Sequence, residues 1–179
     1  MRTTDTTFDQ GTTRLTSPRT ELSHALTIGM TAGIAAGFVV LIPVLILQLV
    51  RGVGIIPEMQ LAASSLMGMV AYAGAAGLIV GTLLHFFVSI IPAIAYGLLA
   101  WRFPSVNRLA WIAGPVLGLI VFFFMGFIVL PLSAFTTPAS VTPMPFLPAL
   151  VIHMLGLGLP IALIVQRGWA SSRNDIKRV

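Results

Sequence analysis

Two imidazoles stand inside long apolar runs, and any intramembrane chemistry of this chain would depend on them. His85 lies within residues 77–101, and His153 lies within the run that ends at Gln166. His85 precedes Arg102 by 17 residues and His153 precedes Arg167 by 14, which at the helical rise places them about 25 and 21 Å from those cations. They therefore sit at similar depth. An ionisable group inside a membrane span is costly, so it faces a bundle interior or a cavity.

Three uses of such a pair compete. In the first, each neutral imidazole bonds across helices to Ser89 Oγ or to a carbonyl that a proline leaves without its donor; Pro92 frees Val88 and Pro160 frees Gly156. In the second, His85 and His153 bind a cofactor, haem or a transition metal, with Gly81 and Gly156 leaving room for a flat macrocycle. In the third, they relay protons or gate a small solute. The spans hold no Asp, Glu, Lys or Arg, which excludes a channel for charged solutes.

Enzymatic chemistry is weakly supported, and the chain reads as a non-enzyme. Ser89 lies one turn from His85, but no carboxylate is available there to orient the base. Glu58 is the sole acidic residue between the tails and reads as a solvated loop charge. Met67, Met69, Met144 and Met154 are the kind of ligand copper(I) takes, but methionine in such positions ordinarily packs. With no cysteine, disulfides, thiolate metal sites and cysteine nucleophiles drop out together.

The elements that hold the histidines are set by composition. Of 179 residues, 57% are hydrophobic and 8% charged, with a mean hydropathy of +1.00; globular chains carry about 25% charged residues. The expected fold class is all-α: a polytopic integral membrane protein with four transmembrane helices and a short interfacial or re-entrant helical arm. The net charge of +5 does not signal nucleic acid, because the basic residues flank apolar runs and anchor them.

The spacing predicts a disordered tail over 1–24 and a transmembrane domain over 25–168, with spans at 25–50, 77–101, 109–130 and 147–166. The outer arm occupies 59–76, and 169–179 form a second tail. Counting 59–100 as one straight helix gives about 63 Å, twice the bilayer core, so the chain must break, and Gly74 and Gly77 are the obvious places. Four crossings put nine basic residues on one side and Arg51 alone on the other. Both termini are then cytoplasmic. The short link 102–108 makes the second and third crossings neighbours.

Small residues recur every fourth position: Gly29, Gly33 and Gly37; Gly77, Gly81, Ser89, Ala93 and Gly97, a column interrupted by the single imidazole of His85; Gly114 and Gly118; with Gly156 in the last span. Helices gain no hydrophobic energy by associating in lipid, so such columns mark close packing. They offer seams within the chain, to a second copy in a homo-oligomer, or to another membrane protein, all within the lipid bilayer.

Residues 84–86 followed by Ser89 and Tyr96, residues 129–134, and His153-Met154 with residues 158–162 together resemble an uncharacterised family of small four-helix bacterial inner-membrane proteins. The likeness covers roughly residues 25–167. It implies a bacterial inner-membrane address and the four-helix layout, and carries over no catalytic or binding residue. The function expected is that of a non-enzymatic accessory or envelope-maintenance component, with a haem- or metal-binding subunit and a small-solute or proton pathway as alternatives.

Overall fold

The computed structural model describes residues 18–176, which are almost wholly helical and contain no strand. Helix α1 spans Pro18–Val50, α2 spans Ile55–Met67, and α3 spans Ala75–Arg102. A short helix α4, Pro104–Arg108, leads into α5, Ala110–Phe124, which ends in a π-helical turn at Met125–Val129. The last crossing joins α6, Phe146–Val151, a π-helical stretch at Ile152–Gly158, and α7, Leu159–Ile176. Four helices are long and apolar enough to cross a membrane. The chain is an all-α, multi-pass membrane protein.

Glycine decides which helices touch. A Cβ placed on Gly33 would lie 2.5 Å from Ile90 Cα, one on Gly29 2.7 Å from Ile94 Cα, and one on Gly97 2.8 Å from the Ala25 carbonyl. These contacts join α1 to α3 backbone to backbone. A second seam joins α5 to the last crossing: a Cβ on Gly114 would lie 2.7 Å from Leu159 Cα, and one on Gly118 would collide with the His153 carbonyl. A Cβ on Gly156 would lie 3.3 Å from a Val40 methyl of α1, and the two pairs are joined through α1 and the last crossing. Dispersion between closely approaching backbones replaces the missing hydrophobic drive.

The neighbour order differs from the sequence expectation. α3 and α5 follow one another through α4 yet touch only slightly, because each is committed to a glycine seam elsewhere. The columns at Gly29, Gly33, Gly37, Gly97, Gly114, Gly118 and Gly156 are all occupied inside the chain.

Toward the end that carries the termini, Ile28, Ala32, Ala93, Tyr96, Ala110, Ile161 and Val165 form one closed core. Trp101 Nε1 donates to Glu21 Oε2 at 3.1 Å, and the His24 and Trp169 rings meet edge-on at 5.2 Å. Residues 18–24, expected in the tail, are thus helical: Pro18 opens the helix, and Glu21 sits in the first turn where its charge suits the dipole. At the other terminus α7 continues to Ile176 rather than ending at 168. The expected tails at 1–17 and 177–179 lie outside the described residues.

The opposite end carries the arm. Gly68 and Gly74 have φ of 56° and 101°, conformations open to glycine, and they bracket a 3₁₀ turn that reverses the chain from α2 into α3. Gly77, expected as a break, is instead inside α3 under the Ala71 carbonyl, and Gly81 lies under that of Met59. Positions rise along the arm as they fall along α3, so α2 folds back on α3. A loop over 135–145 without regular structure crosses it: Ala134 N–H donates to the Ser65 carbonyl (3.0 Å) and Tyr72 OH to that of Thr136 (2.8 Å).

Gly33→Val forces backbone apart at the α1–α3 seam and is expected to lower stability by about 3 kcal/mol, whereas Gly126→Ala, with nothing within 4 Å, is expected to change it little. Thermal unfolding of both variants in detergent checks this. Equal midpoints would contradict the seam.

Candidate functional site

Where α3 and α5 part, the arm end holds a cavity of about 370 Å³. Its walls are Val40 and Val44 of α1, Leu84 and Val88 of α3, Met125 and Val129 of the first π turn, and Ile152 and Leu157 of the second. Met59 and Ala62 of α2 roof it, and exposed Phe87 and Leu66 stand at its rim. Both histidines line it, and so does Glu58.

His85 lies one turn below the α2 contact at Gly81. Its Nε2 meets the Gly37 carbonyl on α1 at 2.9 Å. A carbonyl only accepts, so Nε2 carries a proton, and in the neutral ring Nδ1 keeps its lone pair. The partner is neither of those expected from sequence, Ser89 Oγ or the carbonyl of Val88. Ser89 donates to the His85 carbonyl of its own helix at 2.8 Å, and its hydroxyl makes no bond to the ring. Gly37 can serve because the α1–α3 approach leaves no side chain in the way; a Cβ there would lie 2.9 Å from the Phe86 ring.

His153 Nδ1 meets the Ala149 carbonyl one turn back at 2.8 Å, which by the same reasoning leaves the Nε2 lone pair free. Its ring packs edge-on against Phe122 at 5.2 Å. Neither free ring nitrogen has a partner among the described residues.

Glu58 corrects the reading of a solvated loop charge. It lies in the first turn of α2, half-buried, where its Oε2 accepts from Gln48 Nε2. Gln48 is 1% exposed and also accepts from Arg51 at 2.9 Å. Arg51 turns away to the carbonyls of Thr142 and Pro143, at 3.2 and 3.1 Å, and so fastens the loop over the arm. Burial pushes the Glu58 carboxyl above its ordinary value; the Gln48 hydrogen bond and the nearby Arg51 charge oppose that shift. His85 is also within electrostatic reach of it.

Sequence reasoning missed Gln48, which sits unmarked within an apolar run. Its signal was an uncharged polar residue ten positions before the lone acid, across a Gly-rich turn. It also missed the two π turns. In the first, Leu130 N–H reaches back five residues to the Met125 carbonyl at 2.9 Å. Such widened turns recur at functional sites, and both of these face the cavity.

The room expected for a macrocycle at Gly81 and Gly156 is taken, by the Met59 backbone and by Val40. Among the described residues no three His, Cys, Asp or Glu side chains stand close enough to hold a metal ion. Of the methionines named from sequence, Met144 reaches the cavity, whereas Met69 is exposed.

A carboxyl whose folded value is raised stabilises least when ionised: stability is fullest below the ordinary carboxylate range and falls as pH rises through the shifted value. Hydrogen exchange of residues 55–67 is expected to speed up, beyond its intrinsic pH dependence, as pH rises above the ordinary carboxylate range and through the raised value. Glu58→Gln should flatten that excess; an unchanged excess would contradict the burial of the charge.

Comparison with protein families, with curated proteins and with solved structures finds no match for this chain.

Proposed function

We propose that this chain is a non-enzymatic protein of the bacterial inner membrane that holds a small, mainly apolar molecule in the cavity at its arm end, as an accessory or envelope-maintenance component. The observation that carries the reading is the cavity itself. Its volume of about 370 Å³ falls in the range of small-molecule sites, which pair apolar walls with a few convergent polar groups. Here the polar groups are two imidazoles, each bonded to a backbone carbonyl, and one half-buried carboxyl, set among Val, Leu, Ile and Met.

Closure of the other end by the Ile28, Tyr96 and Ile161 core supports a site with one opening over a path from face to face. The gap between α3 and α5 supports entry from the bilayer. The bacterial address rests on the resemblance of three sequence pieces, and the orientation on the lopsided basic residues, which favour cytoplasmic termini. The cavity then lies in the outer half of the membrane.

Fluorobenzene, followed by fluorine NMR in lipid nanodiscs, is expected to show a saturable component of one molecule per chain above lipid partitioning. Ala62→Trp and Val88→Trp, which fill the cavity from its roof and one wall, should each abolish it. Identical non-saturable uptake by all three proteins would contradict the proposal. Because the chain has no cysteine, Ser140→Cys and Ser105→Cys each introduce a single reactive thiol. An impermeant thiol reagent should label position 140 and spare 105 in intact cells, and the reverse pattern would overturn the orientation.

A further inference from the structure

We infer that the cavity is built for an organic cation whose head donates hydrogen bonds: a protonated amine on an apolar body. The inference rests on the reading of the cavity as a small-molecule site and adds the class of molecule it takes.

It follows from counting what the lining leaves unused. The hydroxyls of Ser65, Ser89 and Ser133 donate to the carbonyls of Ala62, His85 and Leu130, each at 2.8 Å. The protonated nitrogens of His85 and His153 donate to Gly37 and Ala149. With Glu58 ionised and both rings neutral, no side-chain donor on the lining is left over among the described residues. The free capacity consists of acceptors only: His85 Nδ1, His153 Nε2 and the lone pairs of Glu58 that Gln48 does not take.

A carboxylate, phosphate or carbonyl compound would therefore meet no side-chain donor and would face Glu58. An alcohol could donate to an imidazole but would leave the carboxylate charge uncompensated. Arg51 does not compensate it by contact, since its guanidinium is spent on Gln48 and on the carbonyls of Thr142 and Pro143. An ammonium head supplies both donors and charge, and charge-assisted hydrogen bonds are the stronger kind. A bare metal ion fits poorly in a space of about 370 Å³ with apolar walls and no three-ligand group among the described residues.

The titratable groups facing the head are Glu58 from α2, His85 from α3 and His153 from the last crossing, with Arg51 of the α1–α2 turn beyond Gln48; the π turn at Met125–Val129 carries none. Burial raises the Glu58 carboxyl, and an ammonium beside it would act the other way, as the charge of Arg51 already does. The ammonium pairs with the ionised carboxylate, so whatever share of Glu58 is protonated before binding releases its proton to solvent as the head enters.

Four probes of one shape test this on the full chain in nanodiscs of neutral lipid: para-fluorophenethylammonium, its trimethylated form, para-fluorophenethyl alcohol and para-fluorophenylpropanoate. At about pH 7.5 the ammonium is expected to bind roughly tenfold or more tightly than each of the other three, and to release protons into weak buffer. Glu58→Gln should erase that preference while leaving fluorobenzene binding in place. Equal affinity for the four probes, preference for the propanoate, or an ammonium affinity that Glu58→Gln does not change, with fluorobenzene still saturating, would overturn the cation class and leave the cavity reading standing. Failure of every probe to saturate, fluorobenzene included, would overturn both.

Discussion

Backbone-to-backbone contact at glycine is the constraint from which the rest of this structure follows. Lipid gives apolar helices no reason to pair by hydrophobicity, so affinity goes to the faces where nothing keeps two backbones apart. Gly29, Gly33 and Gly97 bind α1 to α3, and Gly114 and Gly118 bind α5 to the last crossing. Each helix has one best face, and α3 and α5 have spent theirs elsewhere. The parting of those two helices at the arm end is a consequence of seam placement, and the cavity is what that parting leaves.

Polar groups enter this space only where something offsets their desolvation. Each histidine donates one ring N–H to a backbone carbonyl and, in the neutral ring, keeps one lone pair. The carboxyl of Glu58 is held through Gln48 to Arg51. Arg51 then binds the proline-rich loop, so a charge network, a helix end and a lid become one unit. The π turns at Met125–Val129 and Ile152–Gly158 widen the two helices on the far wall at the same level. Polar satisfaction, helix register and cavity shape are thus coupled, as expected where a membrane protein places function.

What was legible in the sequence was periodic or compositional. Long apolar runs gave the four crossings, fourth-position glycines gave the close faces, and paired depth along parallel spans put His85 and His153 at one level. What was not legible needed tertiary placement. Whether Glu58 faces solvent or cavity depends on α2 folding back over Gly81, and no pattern in 55–67 announces that. Gly77 shows the same ambiguity: a small residue there serves equally as a break or as a contact, and only the neighbouring Ala71 carbonyl decides. The link 102–108 suggested adjacent helices because short loops usually join neighbours, but glycine contact outranks loop length in lipid. The π turns carry no sequence signal that periodicity would detect.

The central claim is that α1 with α3 and α5 with the last crossing enclose one space into which both histidines project. A chain without native cysteine allows a direct measurement: His85→Cys combined with His153→Cys, treated in membranes with a short bifunctional thiol reagent. The account predicts efficient intramolecular cross-linking of that pair and none for His85→Cys combined with Gly126→Cys, whose glycine faces open space. Cross-linking of the second pair in place of the first would contradict it.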